Sequence, residues 1–233
     1  MTKRTGMNMG ALALGAMLLI VPVAVQAENA AKAPDSAQGH AHAAGHSHDA
    51  KPASDAKSVY KGYFEDSQIQ DRTLADWQGD WQSVYPYLTD GTLDPVMAHK
   101  AEKGDKTAQE YRAYYDIGYR TDVNRIVIKG EHVSFHRGEA VVSGEYADDG
   151  RETLTYEKGN RGVRYIFRKI SGDDGAPQFI QFSDHAIAPL KAGHYHLYSG
   201  EDRAALLENV TNWPTYYPKA LDGAQIVAEM LAH

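Results

Sequence analysis

The spacing of apolar residues changes along the chain, from three and four in its first half to about two in its second half. Helical spacing is first seen over residues 73–88, at Leu74, Trp77, Trp81, Val84 and Leu88. This period predicts a helix from Thr73 to Leu88, with Thr73 as its N-cap.

Two short helices are predicted next. One begins near Asp94–Pro95, because aspartate caps a helix and proline suits its first position. The other covers "TAQEYRAYYDIGYRTD", residues 107–122, and has Tyr111 and Tyr115 on one face.

From Asp122 the period is close to two, in short runs rich in Val, Ile, Tyr, Thr and Phe that Gly, Asn and Asp separate. The runs are "VNRIVIKG", "EHVSFHRG", "EAVVSGEYADDG", "RETLTYEKG", "RGVRYIFRKISGDDG", "PQFIQFSDHAI" and "GHYHLYSG". Such strands with hairpin-length links predict an antiparallel meander, most simply a small barrel or sandwich. A helix from about Asp202, a loop "NWPTYYP" and a final helix from Asp222 are expected to follow.

The first residues have the pattern of a secretory signal peptide. Residues 1–27 combine a basic start at Lys3 and Arg4 with an interrupted apolar run and a small residue, Ala27. An uncleaved membrane anchor is the alternative, although the run is short for a comfortable span. We expect an exported protein.

Residues 28–58 contain no aromatic residue and almost no branched aliphatic residue, so we predict that this segment is disordered. Its histidines are His40, His42, His46 and His48, arranged as two His-x-His pairs. Such a tract can bind zinc, copper or nickel with modest affinity, or can be only a solvated spacer. Residues 59–233 are then the single folded domain.

Charge and cysteine content narrow the possible chemistry. The formal net charge is −7, and removal of the leader would make it −9, which argues against nucleic acid or an anionic membrane as a partner. The chain has no cysteine, so it has neither a disulfide nor a thiolate ligand. Soft-metal chemistry must therefore use histidine and carboxylate.

Three histidines in "FSDHAIAPLKAGHYH" form a candidate metal site. His194 and His196 are two residues apart, so on a strand both project from one face, while Tyr195 projects from the other. A link that folds two strands antiparallel can bring His185 close to them. The alternative is three separate polar side chains on sheet faces.

Several motifs together resemble the ZinT (YodA) family of periplasmic zinc- and cadmium-binding proteins, from about Tyr60 to His233. They are "DWQGDWQSVYPYL", "RGVRYIF", "PQFIQFSDH", "IAPLKAGHYH", "NWPTYYP" and "EMLAH". The resemblance implies a mainly β, lipocalin-like (calycin) antiparallel barrel with short flanking helices. It also implies one divalent metal ion, Zn²⁺ with Cd²⁺ and other divalent transition metals tolerated, held at one end of the barrel by His185, His194 and His196.

The resemblance further implies a zinc-capturing or zinc-buffering protein of the periplasm. Its expected partner is the periplasmic solute-binding component of a zinc ABC importer. We expect a monomer that is not an enzyme and that does not insert into a membrane after signal cleavage.

Two rival functions remain open. A zinc hydrolase or hydratase could use the same three histidines, but no "HExxH" motif occurs, and Asp184 is expected on the opposite sheet face. A lipocalin-type binder of small organic ligands is suggested by "DWQGDW", although Trp77 and Trp81 are expected in the core. Of the other histidines, His136 is expected to be structural, His99 and His132 to lie on the surface, and His233 to offer only a weak surface site with Glu229.

Overall fold

Eight antiparallel strands form a closed barrel in the computed structural model, which describes residues 52–232. Each strand pairs with the next along the chain, and the last pairs with the first. The strands are β1 (Gly79–Ser83), β2 (Arg125–Lys129), β3 (His132–Arg137), β4 (Ala140–Thr155), β5 (Arg161–Gly172), β6 (Phe179–Ser183), β7 (Tyr195–Gly200) and β8 (Thr215–Pro218). The predicted antiparallel barrel is thus confirmed.

Six α-helices flank the barrel within the described residues. They are α1 (Pro52–Tyr60), α2 (Tyr85–Thr89), α3 (Asp94–Lys103), α4 (Ala108–Tyr119), α5 (Arg203–Glu208) and α6 (Gly223–Ala232). The start of α4 is fixed by a capping box, in which Thr107 Oγ1 accepts from Glu110 N and Thr107 N donates to Glu110 Oε2. In this part of the chain, no helix combines the length and the apolar content that a membrane span requires.

Two apolar cores result from this arrangement. Side chains that include Trp77, Trp81, Phe182 and Tyr195 fill the barrel interior. A second cluster, which includes Leu88, Met97, Tyr217 and Ile226, packs the helices against the outer wall. Neighbouring residues of one strand serve both cores, because side chains alternate between the two faces of a sheet.

The predicted helix over residues 73–88 is wrong. The segment instead forms a short 3-10 helix (Leu74–Trp77), strand β1 and helix α2. Its apolar residues are spaced as in a helix because they are divided between two cores: Trp77 and Trp81 enter the barrel, whereas Leu88 joins the helical cluster. Pairing of β1 with both β2 and β8 outweighs the local helical pattern.

Two further predictions are corrected near the ends of the barrel. The predicted loop "NWPTYYP" contains β8, in which Tyr216 enters the barrel and Tyr217 faces the helices. The two strands predicted around "ADDG" are one long strand, β4, with register irregularities between Glu145 and Tyr146 and between Asp148 and Arg151. Gly150, which the sequence predicts in a turn, instead lies in a bulge of β4 and has a φ of 85°.

Helix α1 begins at Pro52, so the prediction of disorder is wrong for residues 52–58. The segment after its C-terminal end is hydrogen-bonded to the barrel, since Arg161 N of β5 donates to the Gly62 carbonyl oxygen at 2.8 Å. Gly62 has a φ of 86°, and a Cβ there would lie 2.4 Å from the Arg161 carbonyl oxygen. The predicted leader, the tail histidines and His233 lie outside the described residues.

The barrel core provides a stability test at Trp81. This side chain is 2% exposed, contacts Tyr195 edge to face at 4.7 Å and donates from Nε1 to the Trp77 carbonyl at 2.8 Å. Trp81→Ala is expected to lower the free energy of unfolding by about 3–5 kcal/mol, through lost burial and a cavity. Urea denaturation measures this, with Val141→Ala on the exposed face of β4 as control, where a change within about 0.5 kcal/mol is expected. Equal effects of the two substitutions would contradict the assignment of Trp81 to the core.

Candidate metal centre

The structure brings the three predicted histidines together. The ring centroids of His185 and His194 are 6.0 Å apart, those of His185 and His196 are 5.8 Å apart, and those of His194 and His196 are 6.1 Å apart. His185 follows β6 by two residues, His194 directly precedes β7, and His196 lies in β7. The β6–β7 hairpin therefore forms a nearly equilateral cluster of imidazoles.

The size of the triangle is close to what one metal ion requires. Its centre lies about 3.4 Å from each ring centroid, compared with about 3.2 Å for a ring bound through one nitrogen at a Zn–N distance near 2.0–2.1 Å. Among residues 52–232, no set of three or more His, Asp or Glu side chains already has the geometry of a bound ion. Closing on an ion would therefore take a small inward shift of the rings.

His196 has its protonated nitrogen defined by a hydrogen-bond chain. Thr215 Oγ1 donates its single proton to the Trp213 carbonyl at 2.9 Å, so the same oxygen accepts from His196 Nδ1–H at 2.8 Å. The lone pair of His196 is then on Nε2, the nitrogen available to a metal. Removal from water, together with His185, His194 and Arg164, holds the pKa of His196 well below its usual value, so the ring is neutral.

His185 lies in a strained turn. Its φ is 66°, and it is the one residue other than glycine with a positive φ in the described chain. Histidine tolerates this region better than most residues, yet the conformation persists only where surrounding contacts impose it. An observed strain of this kind at a cavity is typical of functional positions.

A buried ion pair imposes that conformation. Arg72, 2% exposed, donates to both carboxylate oxygens of Asp184, at 2.5 and 2.9 Å, and to Asp76 at 2.8 Å. Trp77 Nε1 donates to Asp184 at 3.1 Å, and Ala186 N donates to Asp184 Oδ1 at 3.2 Å. Burial lowers the pKa of Arg72, but Asp184 and Asp76 outweigh it and leave the pKa raised. The residues on both sides of His185 are thereby fixed.

Aromatic rings pack on two of the imidazoles. Tyr60, from the end of α1, stacks on His185 with centroids 4.6 Å apart, and Tyr217 of β8 stacks on His194 at 5.1 Å with an interplanar angle of 9°. His185 is exposed, whereas His194 and His196 are partly buried. The cluster is therefore held in place while one side stays accessible.

The imidazoles line a cavity of about 620 Å³ on the outer face of the barrel wall. Tyr195 and Leu197 point into the barrel core. Because side chains alternate along a strand, His196, which lies between them, points to the outside of the barrel. The lining also includes residues of the helices α1, α3, α4 and α6, of the strands β5, β7 and β8, and of the segment before β8. The cluster thus lies where β6 ends and β7 begins, outside the barrel interior.

The remaining histidines of the described residues do not join this cluster. His99 is partly exposed on α3 and contacts Lys103 and Glu102, and His132 is exposed on β3. His136 is partly buried on β3, opposite Arg125 of β2.

Sequence reasoning missed Thr215, Tyr60, Arg72 and Arg164 as neighbours of the site. The sequence predicts a loop at Thr215, and Arg164 occupies an outward position of a strand, where an arginine normally faces solvent. No local pattern distinguishes these residues, because the contacts that define their roles come from distant parts of the chain.

A closed antiparallel barrel with an imidazole cluster on its wall defines a lipocalin-like protein with a candidate metal centre. Residues 55–233 match the family model described as ZinT (YodA) periplasmic lipocalin-like zinc-recruitment. The chain therefore belongs to the ZinT family, and the predicted family and fold are confirmed.

Similar proteins include the "Probable metal-binding protein YrpE" of Bacillus subtilis, 59% identical over 178 residues, which are 76% of this chain and 71% of YrpE. The zinc-binding lipoprotein AdcA of Streptococcus pneumoniae is 49% identical over 179 residues, but this chain spans only 36% of AdcA. The crystal structure of the Zn(II)-bound ZinT-like domain of AdcA has a TM-score of 0.73 and 48% identity, covering 75% of this chain and 98% of that domain. Zinc is thus the metal in a solved relative of the same fold.

The Arg72–Asp184 pair gives a second stability test. Asp184→Asn removes one charge of a buried pair, so we expect a loss of about 3–5 kcal/mol in the free energy of unfolding. The matched control is Asp122→Asn, which breaks a surface pair with Arg137 and should change stability by about 1 kcal/mol or less. Thermal and urea unfolding of the metal-free proteins measure both. A small effect at Asp184 would show that the pair does not hold the His185 turn.

Proposed function

We propose that this protein binds Zn²⁺ through His185, His194 and His196 and holds it for capture and transfer. The observation that supports this most directly is the convergence of the three rings, with centroids 5.8–6.1 Å apart on the wall of a cavity. The strained turn at His185 and the fixed tautomer of His196 are arrangements that a metal ligand needs and a surface histidine does not.

Three neutral imidazoles suit Zn²⁺, and they also accept Cd²⁺ and other divalent transition metals. They leave the ion's positive charge uncompensated and at least one coordination position for a further ligand. Because His185 is exposed at the edge of the cavity, the ion can be reached by an acceptor. Capture and release fit this arrangement better than permanent structural zinc does.

Binding rather than catalysis is the favoured role. The relatives that carry functional names are zinc-binding or metal-binding proteins. The carboxylate next to the cluster, Asp184, is engaged by Arg72 and Trp77 and is not placed as a general base. A lipocalin-type ligand inside the barrel is disfavoured, since aromatic side chains fill the interior.

We place this activity in the periplasm, after removal of residues 1–27, and propose a monomer that supplies zinc to a zinc ABC importer. The family description and the predicted leader support the location. The match to one part of AdcA supports the partner, because there a ZinT-like domain is joined to further chain in one zinc-binding lipoprotein. The histidines His40, His42, His46 and His48 would add weaker sites.

Zinc titration of three proteins tests the assignment. They are the chain without its leader, the same chain lacking residues 28–58, and the variant His185→Ala/His194→Ala/His196→Ala. We expect the triple variant to lose the tight site and the tail deletion to lose only weaker sites, because the cluster supplies all three tight ligands. Equal zinc affinity in the parent and the triple variant, measured by competition with a chelator of known affinity, would refute the proposal.

The hydrogen bond from His196 to Thr215 can be tested separately. Thr215→Val removes the acceptor for Nδ1–H, so the ring loses its fixed tautomer, and zinc affinity should fall about 10–100-fold. Thr215→Ser keeps the hydroxyl and is the matched control, with an expected change below about threefold. If both variants bind zinc equally well, Thr215 does not position His196.

A further inference from the structure

Within the part of the chain that the structure describes, Arg164 is a buried cation without an anionic partner. Its side chain is fully buried, and its Nε and Nη1 have no hydrogen-bond partner among these residues. Nη2 donates to the Asn209 carbonyl at 3.2 Å, the guanidinium lies 3.1 Å from the centre of the Tyr198 ring, and it also interacts with the Tyr156 phenol. Two donor nitrogens, which carry three N–H groups, are therefore left unsatisfied, at substantial free-energy cost.

The other buried arginine shows what is missing. Arg72 is paired with Asp184 and Asp76, which raise its pKa despite burial. Burial lowers the pKa of Arg164, and the effects that oppose this come from two tyrosines, Tyr198 and Tyr156. No carboxylate of residues 52–232 forms an ion pair with Arg164. The described residues therefore neutralise one buried guanidinium and provide no counterion for the other.

Arg164 lines the same cavity as the three histidines, and its charge acts on His196. The described lining includes three more cationic residues, Lys61, Lys100 and Arg161, and no Asp or Glu. Arg161 is paired with Asp66 outside this lining. A divalent cation held by neutral imidazoles would thus face arginine and lysine but no carboxylate in this cavity. A second cavity that shares His185 and His194 contains Asp184, which is paired with Arg72, and Glu229.

We propose that the cavity binds a small oxyanion together with the metal ion, with one oxygen on the metal and another on the guanidinium of Arg164. This inference rests on the proposed metal site. An oxyanion provides negative charge for the metal ion and hydrogen-bond acceptors for Nε and Nη1 of Arg164. One small molecule would therefore satisfy the metal ion and the arginine together. The suitable class comprises carboxylates, bicarbonate and phosphate, and the cavity of about 620 Å³ has room for such a molecule.

Visible spectroscopy of the Co²⁺-loaded protein tests this, because the d–d bands of Co²⁺ respond to a change of ligand. One equivalent of Co²⁺ is added to the protein in a non-coordinating buffer, and sodium acetate is titrated at constant ionic strength. We expect acetate to change the bands saturably and to tighten Co²⁺ binding. Arg164→Met should weaken acetate binding about tenfold or more, since a charge-assisted hydrogen bond is lost.

The variants separate an anion-binding role from a structural one. Without acetate, Arg164→Met should bind Co²⁺ at least as tightly as the parent, because a repelling charge is gone. If Arg164 had only a structural role, its substitution would weaken both Co²⁺ binding and acetate binding. Arg164→Lys keeps the charge and should keep part of the acetate response. Arg168→Met, which removes an exposed arginine of the same strand, should leave acetate and Co²⁺ binding unchanged.

Failure of the two proposals can be told apart. Parent-like Co²⁺ bands in the variant His185→Ala/His194→Ala/His196→Ala would refute the three-histidine site. The oxyanion site alone would be refuted if the bands depend on the three histidines but do not change with acetate. It would also be refuted if Arg164→Met leaves the response to acetate unchanged. Bands that change with protein concentration instead of acetate would assign the carboxylate to a second copy and would also overturn the proposal.

Discussion

The arrangement of the site depends on the ion pair between Arg72 and Asp184. Both side chains are out of water, and the pair is completed by Trp77, whose ring belongs to the barrel core. Removing one partner of such a pair is far more destabilising than losing a surface contact. These contacts connect the residue before His185 and the backbone after it to the barrel core. The position of His185 therefore follows from the packing of the barrel.

The sequence predicted the elements whose pattern is local. Strands β2 and β3 alternate between buried and more exposed positions, and β5 to β7 contain runs rich in Val, Ile, Tyr and Phe. The spacing of His194 and His196 is set by the strand itself. Strands β1 and β8 could not be predicted in the same way, because Trp81 and Tyr216 serve one core while Leu88 and Tyr217 serve another. The two strands that close the barrel are those whose apolar pattern is shared between two layers.

The surroundings of the candidate site were less predictable than the histidines. Arg72 and Arg164 are the same residue type in unremarkable local sequence, yet one has two aspartates and the other has none within the described chain. Thr215 matters only because its single proton is already given to Trp213. Such roles are properties of tertiary contacts, and a single sequence contains no periodic signal for them.

The β6–β7 hairpin has a consequence for when the site can exist. All three imidazoles belong to one short stretch of chain, so a loop of low closure entropy is enough to bring them near each other. The parts that orient and cover them, Thr215, Tyr217 and Tyr60, come from β8 and α1. With the proposed ligands, a partly folded chain would bind a metal ion weakly, and firm retention would begin only when the last strand closes the barrel. The lifetime of the bound ion would then report on the integrity of the whole fold.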